Sequence, residues 1–142
     1  MSARRWLPTV LRARQAAEDL AAQQVAAARR DAEQAADQLA VQQSRVAGLA
    51  LPETSTVAEF HAEVAGQQAA LASLAAAGNR VQFADARLAG QLSELTEAAK
   101  SRRSVEKMQE RIETSQAKQT LLLAQREQDD VSLARHVSRA AG

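Results

Sequence analysis

The chain has 142 residues, a formal net charge of +1 and no cysteine, and 46% of it is hydrophobic while only 2% is aromatic. Alanine supplies the difference, and an excess of Ala, Leu, Gln, Glu and Arg belongs to long helices rather than to a pocketed globular domain. Near-neutral charge gives no global pull toward nucleic acid or membrane, missing cysteines exclude a disulfide framework, and no apolar run approaches the length of about 18 residues that a spanning helix needs.

The opening Met1-Ser-Ala-Arg-Arg-Trp-Leu-Pro lacks the apolar segment of a secretory leader, so a cytoplasmic protein is expected. Pro8 suits the first turn of a helix, where its missing N–H costs nothing. From there a heptad seam runs through Leu7, Leu11, Arg14, Glu18, Ala21, Val25, Ala28, Ala32, Ala35, Leu39, Gln42, Val46 and Leu49, ten of the thirteen apolar. This predicts a first arm over about residues 7–48, ending near Gly48. Neither Thr9 to Ala47 nor Gln91 to Ala141 contains glycine or proline, and as helices these stretches would run roughly 58 and 76 Å.

A tip over about residues 49–79 follows. Leu51-Pro52 stops the first arm, because the residue before proline leaves the helical region. Thr56-Val-Ala-Glu59 reads as a capping box that restarts a helix. Gly66 and Gly78-Asn79 are weak points, and a kink or short break is expected at Gly78. The second arm, about 80–140, carries Val81, Leu88, Leu92 and Leu95 in one phase. Val105, Met108, Ile112, Ser115, Gln119, Leu122, Arg126, Asp129 and Leu133 follow in a phase shifted by one residue. Such a slip predicts looser pairing near Ala98 to Arg103.

Two arms joined by one turn pack antiparallel most simply. The expected fold is therefore all-α: a single domain over 1–142, two long helices forming an antiparallel two-stranded coiled coil with a short helical tip. Ionic residues interrupt the seam near both outer ends, Arg14 and Glu18 on the first arm, Arg126 and Asp129 on the second. In a hairpin these four are expected to meet and fix register. Charge is also polarised. Arg4, Arg5, Arg12, Arg14, Arg135 and Arg139 mark the ends, whereas Val46 to Asn79 holds no Lys or Arg.

Nothing here has the spacing of a catalytic or metal site. His61 and His136 stand alone. The carboxylates of Arg126-Glu-Gln-Asp-Asp130 diverge around the helix, with Arg126 placed to pair with Asp130 at i,i+4. No cofactor or metal is expected, and no enzyme. Nucleic-acid binding is disfavoured by interleaved acids and scarce aromatics. Trp6, Leu7, Val10 and Leu11 beside arginines allow at most a peripheral membrane contact. Phe60, Val64, Gln67 and Leu71 share one helical face in the positive-free stretch. They form either a docking stripe for a partner or a local cap over Leu49, Leu51 and Val57.

Trp6-Leu-Pro-Thr-Val-Leu-Arg-Ala-Arg-Gln15, Val105-Glu-Lys-Met-Gln-Glu-Arg111 and Arg126-Glu-Gln-Asp-Asp130 resemble the opening, the "ekL.eR" segment and the closing "E-x-x-D-E" element of the FliJ family. Those proteins are stalks of the flagellar type III export ATPase. The resemblance implies a non-catalytic stalk and adaptor whose paired termini enter the hexameric ATPase ring and promote its activity. It implies further contacts with the cytoplasmic ring of the export gate and with export chaperones, at the inner face of the cell membrane. Carried onto this chain, Trp6, Leu11, Arg14, Arg126 and Asp129 would lie at the ATPase end, and Phe60, Val64, Gln67 and Leu71 at the gate. The equivalent stalk of a virulence secretion system, or a coiled-coil scaffold or chaperone with no ATPase partner, would share this architecture.

Overall fold

The structure, a computed structural model, describes residues 3–49 and 56–142. They form two helices, α1 (Ala3–Ala47) and α2 (Val57–Ala141), with no strand among the described residues. The two helices pack against each other as a helical hairpin. The expected stop at Leu51-Pro52 lies outside the described residues. The chain falls into two compact units, one made of residues 16–99 and the other of residues 1–15 with 100–142.

In the unit of residues 16–99 the covered positions of α1 are Glu18, Ala21, Val25, Ala28, Ala32, Ala35, Leu39, Gln42 and Val46, the seam expected from sequence, with Ala27 partly covered beside it. The main stripe of α2 recurs at the same alternating steps of three and four, through Glu63, Gln67, Ala70, Leu74, Ala77, Val81, Ala84, Leu88, Gln91, Leu95 and Ala98, with Val64, Ala76, Gly78 and Ala99 partly covered beside it. That period keeps one stripe of each helix against its neighbour. The helices run antiparallel: Asp31 reaches Arg87 at 3.4 Å, and one groove is lined by Arg45 and Leu49 with Glu63 to Ser73. Of the seven apolar residues fully buried in this unit, six are alanine and one is Val25.

In the other unit Leu7, only 3% exposed, packs with Pro8 against Gln109, Ile112, Glu113 and Gln116. The covered positions of α2 here are Ser101, Arg102, Val105, Glu106, Gln109, Ile112 and Gln116.

Helix α2 begins as read. The Thr56 N–H donates to Glu59 Oε2 at 3.1 Å, and the Glu59 N–H donates to Thr56 Oγ1 at 3.2 Å. These reciprocal bonds satisfy donors that a helix start leaves orphaned. Helix α1 closes with the Gly48 N–H bonded to the Ser44 carbonyl at 3.0 Å, and Arg45 in its last turn suits the negative end of the helix dipole.

Several expectations fail. No break interrupts α2 at Gly78, which is helical like Gly66 and Gly90. A glycine costs about 1 kcal/mol in a helix interior, and the alanines and leucines packed on either side outweigh that. Helix α2 starts at Val57 and is covered from Glu63 onward, so the described part of the stretch 49–79 is continuous with the second arm. The phase slip is absent too, because the step from Ala98 to Arg102 keeps the alternation. Gln91, Gln109 and Gln116 take the covered positions, while Leu92 and Met108 stand 40% and 46% exposed beside them. Apolarity alone points to those neighbours, one residue off the stripe. Pro8, finally, lies in the second turn of α1, one turn later than expected, and removes one helical hydrogen bond.

Candidate partner-binding surfaces

The residues expected at the basic end, Trp6, Leu11, Arg14, Arg126 and Asp129, fall in one compact unit. Leu11 is half-buried on the seam, whereas Trp6, Arg14, Arg126 and Asp129 are exposed. The ionic cluster is not formed. Leu7 sits at the level of Ile112, so Arg14, seven residues farther along α1, stands near Val105. Arg126 and Asp129 lie the other way along α2, about 21 to 24 residues off, or roughly 31 to 36 Å. The expected cluster matches these residues by distance from each terminus. The arms are unequal, 45 against 85 residues, so equal distances do not align.

That inequality creates the main surface. Every residue from Ala117 to Gly142 is exposed. Leu121, Leu122, Leu123, Val131, Leu133 and Val137 all lie in this stretch, each more than half exposed. An isolated helix keeps no such row of apolar side chains in water without reason, because exposed apolar patches mark interaction surfaces. The i,i+4 pair expected between Arg126 and Asp130 is not made, and neither side chain enters an ion pair among the described residues.

Ionic residues do interrupt the packed seam, at Glu18, Glu63 and Arg102, and Glu106 flanks the last of these. Arg102 Nη1 donates to Glu106 Oε1 at 2.7 Å in a partly buried setting. Steps of three and four from Leu95 through Ala98 lead to Arg102, whereas a phase slip between Ala98 and Arg103 passes over it.

The stripe proposed on the middle helix is divided. Phe60 and Leu71 are exposed, Val64 is half-covered and Gln67 belongs to the seam with α1. Phe60 makes an edge contact with the His61 ring at 6.3 Å between centroids. Beside it lies a groove of about 430 Å³ lined by Arg45, Leu49, Glu63, Gly66, Gln67 and Ser73, among others. Leu51, one member of the expected local cap, lies outside the described residues. Arg45 brings a positive charge to a region whose own sequence has none. Phe83 stands apart between Arg80 and Arg87, 74% exposed.

Among the described residues no group of three or more His, Cys, Asp or Glu is placed to hold a metal ion, and no helix is long and apolar enough to cross a membrane. The grooves are shallow and open along the helix pair, a shape suited to side chains of a macromolecule rather than to an enclosed small ligand.

A family model described as flagellar FliJ protein matches residues 4–141. Comparison with curated proteins gives no match, and neither does comparison with solved structures.

Proposed function

The chain belongs to the FliJ family of flagellar proteins, a family of flagellar export components, and on that premise we propose that it is a non-catalytic stalk and adaptor of flagellar protein export. The end made of Trp6, Leu11 and Arg14 with Arg126 and Asp129 enters the ring of the export ATPase hexamer and promotes hydrolysis. The Phe60–Leu71 face, with Val64 and Gln67 at its edge, meets the cytoplasmic ring of the export gate. Export chaperones bind along the exposed flanks. The protein works in the cytoplasm, at the inner face of the membrane through the apparatus it joins.

One observation carries this reading: α2 continues about 25 residues past its packed stretch, fully exposed and studded with leucine and valine. A helix end of that length, roughly 38 Å, is long enough to line a channel through a protein ring. It offers apolar side chains that gain about 25 cal/mol per Å² when covered. The shallow, open grooves of the remaining surface favour adaptor work over chemistry.

The test mixes the purified chain with a hexamer-forming flagellar export ATPase and measures hydrolysis and co-elution. Stimulation that weakens with L123A/L133A is the expected result. A helical chain that neither co-elutes nor stimulates refutes the stalk reading.

A further inference from the structure

We propose that the exposed face of α2 beyond Gln116 binds the same face of a second copy of this chain, antiparallel, about a two-fold axis at Gln128. The heptad of α2 does not stop where its cover ends. After Gln109, Ile112 and Gln116, the same steps of three and four lead to Gln119, Leu123, Arg126, Asp130, Leu133 and Val137, every one exposed. In an antiparallel helix pair, each layer joins the first position of one heptad to the fourth position of the other.

Read forward on one copy and backward on the other, the inner four positions of this row match themselves, while the outer layers set Gln119 of each copy beside Val137 of the other. Leu123 of each copy falls beside Leu133 of the other, and Arg126 of each beside Asp130 of the other. Two apolar layers thus flank two layers that each pair an Arg126 with an Asp130, all generated by one axis. A parallel pair in register would set Arg126 against Arg126 and Asp130 against Asp130, which repels. Within the chain Arg126 and Asp130 enter no ion pair, so both are available. A contact in which one patch meets its own copy is closed and stops at two chains.

The charge pattern is what selects a second copy over an unrelated helix, which would need an acid and a base at the same two levels. The same axis brings Glu127 near Glu127 and Asp129 near Asp129 on the solvent flanks. Like charges oppose association, so the dimer is reversible and forms as concentration rises. The inference concerns the chain alone and does not rest on the export reading; self-association and ATPase stimulation are separate measurements that can fail separately.

Sedimentation equilibrium of the full chain tests it. The expected result is a mass that rises from monomer to dimer with concentration. R126D, which sets acid against acid, abolishes the rise, and R126D/D130R restores it by exchanging the partners. E127Q/D129N shifts the transition to lower concentration. Orientation is read separately, because the chain has no cysteine. A mixture of L123C and L133C chains forms disulfides between unlike chains. A chain monomeric at every concentration, an R126D variant that dimerises as wild type does, or disulfides confined to like chains overturns the proposal. These positions are exposed in the monomer, and far-UV circular dichroism confirms unchanged helicity in each variant.

Discussion

Gly78 to alanine is the sharpest test of an unbroken α2. The residue is helical and half-buried, no glycine among the described residues has positive φ, and a Cβ at Gly78 would meet nothing within 4 Å. Gly66 and Gly90 are equally open. Alanine is favoured over glycine in a helix interior by about 0.5 to 1 kcal/mol, because glycine loses more backbone freedom on folding. The three sites are twelve residues apart, about 18 Å along the axis, so their effects add. All three lie in the unit of residues 16–99. G66A/G78A/G90A is therefore expected to stabilise that unit by about 1.5 to 3 kcal/mol, a rise in Tm of roughly 6 to 24 °C. Thermal melts followed by far-UV circular dichroism measure it. A lowered or unchanged Tm for G78A alone would show that the chain needs a bend there, and the continuous helix would be wrong.

Thr56→Ala removes one half of the capping box and leaves the Glu59 N–H without its acceptor. A loss of about 1 kcal/mol is expected, with faster amide exchange in the first turn of α2. Gln91→Leu replaces a seam glutamine whose Oε1 is buried without a hydrogen-bond partner, so urea unfolding should show a gain of about 1 to 3 kcal/mol. Arg87→Ala breaks the Asp31 pair, but both side chains are more than half exposed, and stability should fall by no more than about 0.5 kcal/mol.

Much of the architecture is legible in the sequence because its signals are local and periodic. The α1 seam can be read position by position, since from Leu7 to Val46 apolar residues keep one stripe and only Arg14 proves uncovered. The capping box can be read because Thr56 and Glu59 interact with each other across a single turn. The register between arms cannot, because it depends on two lengths at once, and α2 is nearly twice as long as α1. The cluster of Arg14, Glu18, Arg126 and Asp129 fails for that reason. The glutamines of α2 fail differently: Gln91 packs although Leu92 is the more apolar neighbour, since the stripe set by Leu88 and Leu95 decides which residue faces inward. Propensity names candidates. Phase decides among them.

Alanine in the seam sets a limit on how far this coil can be improved. Ala28 is 1% exposed and Ala77 is 2% exposed, so the helices meet closely over side chains of one carbon. Adding apolar atoms would naively help, at about 0.8 kcal/mol for each buried CH₂. At Ala28 there is no space to receive them, and a leucine would have to push α2 away or leave its preferred rotamer. Overpacking of that kind costs about 1 to 3 kcal/mol. A28L should therefore destabilise the chain in urea unfolding, while A28G, which loses helix propensity and leaves a void, should destabilise it as well. If A28L instead raised the midpoint, the seam would be slack rather than close. Alanine would then reflect something other than spacing, and the narrow approach of the helices would lose its physical reason.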